Sequence, residues 1–179
     1  MLSSQLNIEN HCELPTSPQN LLKQLDDWQI TYDLHHHRAV YTVEESQDVD
    51  AMISGTACRN MFLADKKKRM FLISLANETK VDLKKLPDVL GCGRLSFGSP
   101  DRLWRYLGVR PGSVCPFSII NDTEKQVTLI LDHWMMQQER VNFHPLLNTM
   151  TVGLVPHGLT TFVKNLDHPF QIVDLSLAA

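Results

Sequence analysis

Residues 58–76 read CRNMFLADKKKRMFLISLA, two apolar runs that flank a short charged segment. Each run has the length and the apolar character of a strand, and the residues from Asp65 to Lys68 form a polar connection of hairpin length. The stretch therefore predicts a β-hairpin. The cluster KKKR at its tip has two interpretations that the stretch leaves open: a solvated turn, or a contact with nucleic-acid phosphates.

Helix and strand signals continue on both sides of this hairpin. Ser17 is a suitable N-cap for an amphipathic helix, and Ser99 precedes a second helix that begins at Pro100 and stops at Gly108. The predicted helices cover residues 18–30, 43–55, 80–91, 100–108 and 157–166. The predicted extended segments cover residues 32–43, 113–122, 126–135 and 170–176.

The predicted elements favour one fold class. Residues 113–122 and 126–135 are joined by NDTEK and are predicted to form a second hairpin. Hairpins interleaved with helices, without a regular βαβ rhythm, predict an α+β fold: a mixed, largely antiparallel sheet with helices packed around it. We expect a single domain over residues 1–179, in which residues 1–16 form a polar N-terminal arm.

The composition restricts the possible functions. The chain has 179 residues, 43% hydrophobic, and a formal net charge of -3, so any nucleic-acid contact must come from a local basic face. No stretch is long and apolar enough to cross a bilayer, and the first residues lack the pattern of a secretory leader. We expect a cytoplasmic protein that has no membrane partner.

The cysteines and histidines do not indicate a metal site. The four cysteines lack CxxC spacing, so reduced thiols are expected. His35, His36 and His37 are adjacent, and neighbouring residues on a strand alternate between faces, so the three cannot converge on one ion. No metal and no cofactor are predicted.

Three polar segments that border apolar strands remain as candidate sites, since no familiar catalytic motif is present. They are GTACRN at 55–60, RPGSVCPF at 110–117 and NFHPLLNT at 142–149. In the second segment, Gly112 permits a tight turn and Pro116 fixes the exit, which can leave amide groups to hold an ester carbonyl or its oxyanion. A plain turn, and a buried structural histidine at His144, are the alternative interpretations.

Taken in order, these segments resemble the YbaK/prolyl-tRNA-synthetase-associated editing-domain family, in particular its free-standing aminoacyl-tRNA deacylases. The resemblance covers about residues 20–176 and is carried by the following motifs: YTVEE (41–45), RNMFLADKKKRMFLI (59–73), GRLSFGSPDRLWRYLGVRPGSVCPF (93–117), LDHW (131–134), FHPLLNT (143–149) and HGLTTFVKNLDHPFQIVDL (157–175). It implies hydrolysis, in trans, of the ester that links a wrong amino acid, typically alanine or another small residue, to the end of tRNA(Pro). The resemblance also implies that misacylated tRNA is the partner and that DNA is not. A transient contact with prolyl-tRNA synthetase is expected.

The resemblance also implies the site residues. The GxxxP loop, here Gly112, Ser113, Val114, Cys115 and Pro116, would supply backbone contacts to the aminoacyl group. Substrate-binding positions would be Asn60, His144, Asn148 and Thr149. The family's mechanism uses a hydroxyl of the terminal ribose to help activate water, which is consistent with the absence of a catalytic triad.

Arg59 is a departure, because the family usually has lysine at this position. Arginine is a planar, permanently charged fork that can grip a phosphate or a carbonyl but cannot act as a base near neutral pH. The prediction is that the chain is a deacylase in which Arg59 serves as the catalytic cation. The alternatives are a module that binds the tRNA end without turnover, and an interaction subunit that docks on the synthetase.

Overall fold

A computed structural model of the chain describes residues 14–179, and most of the predicted polar arm over residues 1–16 lies outside this range. The helices are α1 (Pro18–Asp27), α2 (Val43–Asp50), α3 (Leu86–Leu90), α4 (Pro100–Leu107) and α5 (Pro156–Asn165), with short 3₁₀ helices at Pro116–Asn121, Met135–Gln137 and Leu175–Ala178. The strands are β1 (Tyr32–His36), β2 (Thr56–Asp65), β3 (Met70–Ala76), β4 (Leu95–Phe97), β5 (Val127–Asp132), β6 (Val141–Phe143), β7 (Met150–Leu154) and β8 (Phe170–Val173).

Helices α1 and α4 begin where the cap signals predicted. The Ser17 hydroxyl accepts from the amide of Asn20 at 3.1 Å, and the Ser99 hydroxyl accepts from the amide of Arg102 at 3.3 Å. In both helices a proline follows the cap, a position where its missing N–H is not needed. Gly108 ends α4 at a φ of 61°, as predicted.

Two predicted helices are shorter than expected. The helix predicted over residues 43–55 is observed as α2, which ends at Asp50. The helix predicted over residues 80–91 is observed as the five-residue α3. Pro87 explains the second difference, since proline is accepted only in the first helical turn and therefore sets where α3 begins. Residues 80–85 do not join the helix.

The strands form a mixed sheet in the order β1-β7-β6-β2-β3-β5-β8, with β4 added to β2. Within residues 14–179, β1–β7, β2–β3, β2–β4 and β6–β7 pair antiparallel, whereas β2–β6, β3–β5 and β5–β8 pair parallel. The predicted mixed sheet with packed helices is confirmed. The parallel pairs are more numerous than the hairpin signals suggested.

The hairpin over residues 58–76 is confirmed as β2 and β3, with Phe62 opposite Leu72. Asp65 closes its tip, because its carboxylate accepts from the amides of Lys67 at 2.8 Å and Arg69 at 3.0 Å and from the Arg69 side chain at 2.8 Å. The three lysines at 66–68 are exposed. The cluster is therefore a solvated turn in the folded chain.

The second predicted hairpin is wrong. Residues 116–121 form a 3₁₀ helix instead of a strand, and β5 pairs in parallel with β3 and β8. Pro116 opens the helix, and the Ser118 hydroxyl donates to the carbonyl of Cys115 at 2.6 Å. The side chain of Phe117 packs edge-on against Phe162 of α5, with ring centroids 5.2 Å apart, so the segment fills the core rather than extending the sheet.

The core lies on both faces of the central strands. Every residue of β3 is buried, as expected for a strand that is covered on two sides. Leu21 of α1, Leu103 of α4 and Phe162 of α5 belong to the larger cluster, and Leu86 of α3 belongs to the smaller one. The candidate site borders the larger cluster, where the first half of β2 meets β6.

Candidate active site

A cavity of about 290 Å³ brings together residues that are distant in sequence. Six parts of the fold line it: α2 with the residues before it, the first half of β2, the residue after β3, the 110–116 loop, β6 with its exit, and β7. The side chains used below are Tyr41, Ser46, Asp50, Cys58, Arg59, Asn60, Gly112, Val114, His144 and Thr151. Three of the predicted segments therefore meet at one place.

Strand pairing explains why these segments meet. The start of β2 runs parallel to β6, with Ala57 opposite Asn142, and β6 in turn pairs with β7. Arg59 and Asn60 follow the paired part of β2, and His144 follows the last residue of β6. Because β2 and β6 run in the same direction, Arg59 and Asn60, which are still paired with β3, lie next to the point where the chain leaves β6 at His144.

His144 offers an unprotonated ring nitrogen to this cavity. Its Nδ1 lies 2.9 Å from the carbonyl oxygen of Met150, which can only accept, so Nδ1 carries the proton. Burial lowers the pKa of His144 below its usual value, and the nearby ring of His37 acts in the same direction. At neutral pH the imidazole is therefore neutral, with a lone pair on Nε2.

Asn60 is held in one orientation. Its Oδ1 accepts from the hydroxyl of Ser74 at 2.7 Å, across the β2–β3 ladder. This bond leaves the Nδ2 amino group of Asn60 as a donor at the cavity wall. The predicted substrate-binding role of Asn60 is compatible with this placement and stays a prediction.

Arg59 lines the cavity, but its guanidinium group is already bound to the protein. Nη1 donates to the carbonyls of Ala76 at 2.9 Å and Asn77 at 2.6 Å, and Nη2 donates to the carbonyl of Thr79 at 2.6 Å. Burial lowers its pKa, and the charge of Asp132 opposes that shift. The cation therefore fixes the chain after β3, a role that the sequence interpretation did not include.

The Gly112 to Pro116 loop is divided by the fold. Gly112 and Val114 line the cavity, whereas Ser113, Cys115 and Pro116 are buried in the packing behind it. The Ser113 amide donates to the carbonyl of Arg110 at 3.0 Å and closes a turn. The amides of Gly112 and Val114 have no acceptor within the described chain, so they are the candidate donors for an ester oxygen.

The two thiols near the cavity are not activated. Burial raises the pKa of Cys58 to about 12 and that of Cys115 to about 11. Both cysteines stay protonated at neutral pH, and the thiolate is the nucleophilic form. The assignment of Cys115 to the site therefore concerns backbone contacts and not covalent catalysis.

Asn148 and Thr149, the remaining predicted substrate-binding residues, support the cavity from outside. The Asn148 side chain donates to the carbonyl of Val40 at 2.9 Å, and the carbonyl of Thr149 accepts from the amide of His37 at 3.0 Å. Neither residue belongs to the cavity lining. Both hold the 37–40 segment against the start of β7, and any contact with substrate stays a prediction.

Sequence reasoning missed Tyr41, Asp50 and Thr151. Tyr41 is 65% exposed, and the hydroxyl of Thr151 lies 2.9 Å from His37 Nε2. Asp50 gave no signal in the sequence, because the predicted helix over residues 43–55 placed it in the interior of the helix, whereas in the structure it is the last residue of α2. Tyr41 lies in the YTVEE motif that carries the family resemblance but was not assigned to the site, and Thr151 reaches the cavity through the strand pairing of β7.

Two further properties concern residues 14–179. In this part of the chain, no group of three or more histidine, cysteine, aspartate or glutamate side chains is arranged to hold a metal ion. The same residues contain no helix with the length and hydropathy needed to cross a membrane.

Comparison with known proteins identifies the family. Residues 37–162 match the model of the aminoacyl-tRNA editing domain, which covers more than half of the chain. The chain therefore belongs to the aminoacyl-tRNA editing domain family. The predicted class, an aminoacyl-tRNA deacylase that acts in editing, is confirmed.

The chain is also similar to known proteins along most of its length. It is 35% identical over 158 residues to the prolyl-tRNA editing protein ProX of Acetoanaerobium sticklandii, covering 88% of this chain and 96% of that protein. It is 31% identical over 158 residues to the prolyl-tRNA synthetase associated domain-containing protein 1 of Danio rerio, covering 85% of this chain and 86% of that protein.

A solved structure supports the fold. A crystal structure provisionally described as a trans-editing enzyme for prolyl-tRNA synthetase superposes with a TM-score of 0.64 at 15% identity, covering 87% of this chain and 93% of that chain. At this identity the match supports the α+β fold alone.

Proposed function

We propose that this protein hydrolyses misacylated tRNA(Pro) in trans, with alanine or another small amino acid as the group removed. The similarity to a prolyl-tRNA editing protein over nearly its whole length supports the choice of tRNA. The observation that carries the chemistry is the neutral His144 in the cavity lining, whose Nε2 has no hydrogen-bond partner among the described residues and which shares this lining with Gly112 and Val114.

These groups suit the attack of water on an ester. The water oxygen adds to the carbonyl carbon while its proton passes to a basic site, either His144 Nε2 or a ribose hydroxyl hydrogen-bonded to it. The amides of Gly112 and Val114 stabilise the oxyanion. The bond between the carbonyl carbon and the ribose oxygen then breaks, and that oxygen takes a proton as the free amino acid leaves.

The size of the cavity supports a small amino acid. At about 290 Å³ it is just smaller than the range of roughly 300–1,000 Å³ for small-molecule sites. The ester and part of the ribose must also enter it. Little volume remains for an amino-acid side chain, which favours alanine over larger residues.

The first experiment is release of labelled amino acid from alanyl-, seryl-, threonyl- and prolyl-tRNA(Pro). We expect the fastest release from alanyl-tRNA and none from prolyl-tRNA. Replacing His144 with Gln should reduce kcat about 10²- to 10⁴-fold, the usual contribution of general acid–base catalysis. His157→Gln is the matched control, because His157 is exposed on α5.

A non-catalytic tRNA-end module is the alternative, and the bound guanidinium of Arg59 is the observation in its favour. If no ester is hydrolysed, yet the protein binds the aminoacylated tRNA end and Arg59→Lys gains turnover, the alternative is correct. Loss of release in His144→Gln with normal release in His157→Gln would support the deacylase.

The proposal includes a transient contact with prolyl-tRNA synthetase and action in the cytoplasm. One of the relatives carries the synthetase in its name. We expect the synthetase and this protein to separate on gel filtration while hydrolysis proceeds in the mixture. A stable complex without any effect on charged tRNA would instead favour an interaction subunit.

A further inference from the structure

Asp50 is a carboxylate in the cavity whose charge is not matched by the protein. It ends α2 and is half-buried, and its Oδ2 accepts from the Ser46 hydroxyl at 2.7 Å. Within the described residues no cation pairs with it, and Oδ1 has no donor. The carboxylate is therefore oriented but not neutralised.

This charge is placed where it is unfavourable. The C-terminal end of a helix carries a partial negative charge, so an aspartate there is repelled. Partial burial adds a desolvation cost to the ionised form. Such a group suits a cationic ligand, because the ligand's charge would offset both effects.

Arg59, a cation that lines the same cavity, does not neutralise Asp50. The guanidinium of Arg59 donates to the carbonyls that follow β3, and the acidic side chain that acts on it is Asp132. Asp50 acts instead on the other wall: burial lowers the pKa of His144 and raises that of Cys58, and the charge of Asp50 opposes the first effect and adds to the second. The negative charge therefore lies close to the ring that would assist hydrolysis.

Aminoacyl esters, the proposed substrates, carry a cation of their own, the α-ammonium group. In an aminoacyl ester a single carbon separates the α-ammonium group from the carbonyl carbon, so an ester held beside His144 would carry a positive charge into this cavity. An ester whose α-nitrogen is acylated, as in peptidyl- or formylaminoacyl-tRNA, is neutral there and larger.

We propose that Asp50 binds the α-ammonium group of the aminoacyl ester and restricts the enzyme to esters with a free α-amino group. This inference rests on the proposed function and adds its specificity determinant. Ser46 positions the carboxylate, Oδ1 accepts from the ammonium, and N-acylated esters lose this contact and meet the carboxylate with their added group.

The test compares alanyl-tRNA(Pro) with lactyl-tRNA(Pro), in which a hydroxyl of similar size replaces the ammonium. After subtraction of the uncatalysed rates, the ratio of the two kcat/KM values is measured for the wild type, Asp50→Asn and Glu44→Gln. Asparagine keeps the shape and the bond to Ser46. Glu44→Gln removes the same charge from an exposed position on the same helix.

We expect the alanyl-to-lactyl ratio to fall about ten- to a hundredfold in Asp50→Asn, mainly through slower alanyl release, because a hydrogen bond to a charged group is lost. It should be unchanged in Glu44→Gln. N-acetylalanyl-tRNA(Pro) should resist the wild type. An equal ratio in the wild type and Asp50→Asn would overturn the proposal.

Failure of the proposed function is distinguishable from failure of this inference. If no ester is hydrolysed, the role of Asp50 is tested by the binding of two non-hydrolysable analogues. These are the alanyl and lactyl amides of 3′-amino-3′-deoxyadenosine. Preference of the wild type for the alanyl amide, lost in Asp50→Asn, would support the role of Asp50 without catalysis. Equal binding of the two amides by the wild type would contradict it.

Discussion

At the scale of single residues, Arg59 shows how one side chain joins the site to the fold. Its two terminal nitrogens donate to three backbone carbonyls, those of Ala76, Asn77 and Thr79. Thr79 in turn donates to the buried Asp132 at 2.7 Å. A planar fork with several donors can span such a set, whereas a lysine ammonium is a single point.

We expect Arg59→Ala to lower the free energy of unfolding by about 3 kcal/mol, because three carbonyls lose a charged donor. Arg59→Lys should lie between this variant and the wild type. Urea unfolding would measure both, with Arg94→Ala as the control, since Arg94 is exposed. An alanine variant as stable as the wild type would show that the guanidinium is not structural.

Gly112 is required by conformation and by space. Its φ is +86°, and a Cβ built there would lie 2.9 Å from Cδ1 of Tyr41 at the cavity. We expect Gly112→Ala to lower stability by about 1–2 kcal/mol and to reduce deacylation, because Tyr41 must move.

Gly91→Ala separates the two effects of Gly112→Ala, which are strain at a positive φ and the close contact with Tyr41. Gly91 also has a positive φ, of +61°, but a Cβ there meets nothing within 4 Å, and the residue lies outside the cavity. This variant should be destabilised while its rate of deacylation is unchanged. A similar loss of activity in both glycine variants would refute the role given to the contact with Tyr41.

At the scale of elements, a buried carboxylate fixes the start of β5. Asp122 accepts from the amides of Gln126 at 3.0 Å and Val127 at 2.8 Å, and it contacts the buried ring of His168, which precedes β8, at 3.0 Å. Burial alone would raise its pKa, but these hydrogen bonds outweigh burial, and the net pKa is lowered.

A lowered folded-state pKa makes the contribution of Asp122 dependent on pH. The stabilisation is present above the unfolded pKa of about 3.9 and is lost as the pH falls through the lower folded value. We expect Asp122→Asn to be about 2–3 kcal/mol less stable than the wild type at pH 7. The difference should shrink below about pH 4.

Denaturant unfolding between pH 3 and pH 8 would measure this difference. Asp101→Asn is the control, because Asp101 is an exposed aspartate on α4. A constant difference between Asp122→Asn and the wild type over the whole range would contradict the assignment.

Some helices and strands can be predicted from their own residues, and others cannot. The hairpin of β2 and β3 is local, and both its strands and its turn could be predicted from residues 58–76. The 116–121 segment is equally apolar, but it forms a 3₁₀ helix because Phe117 packs against Phe162 of α5, more than forty residues away in sequence. Tertiary packing decides such segments, since their local pattern fits either structure.

At the scale of the whole molecule, the net charge of -3 opposes binding to tRNA. Binding must rely on a few local cations, and each phosphate contact with a single strand contributes about 0.7 to the slope of log K against log salt. With two or three contacts, we expect affinity to fall about tenfold between 50 and 200 mM salt. Tight binding that is unchanged at high salt would contradict this expectation.

The lysines at 66–68 test whether the hairpin tip takes part. They follow Asp65, the end of β2, which lies about 20 Å along the strand from Arg59, six residues at roughly 3.3 Å each, and they are exposed. Replacing all three with alanine should leave hydrolysis of a short aminoacylated acceptor stem unchanged. A lower salt slope with full-length tRNA in this variant would show that the tip contacts the tRNA body.

The sequence by itself determined the family, the capped helices α1 and α4, the central hairpin and the three segments that supply the cavity, because these depend on local pattern and on motif order. Only the tertiary structure decided the parallel pairing of β5, the binding of Arg59 to backbone carbonyls, and the place of Asp50, Tyr41 and Thr151 in the cavity. Those features depend on which distant groups become neighbours, and that is set by strand pairing and burial over the whole chain.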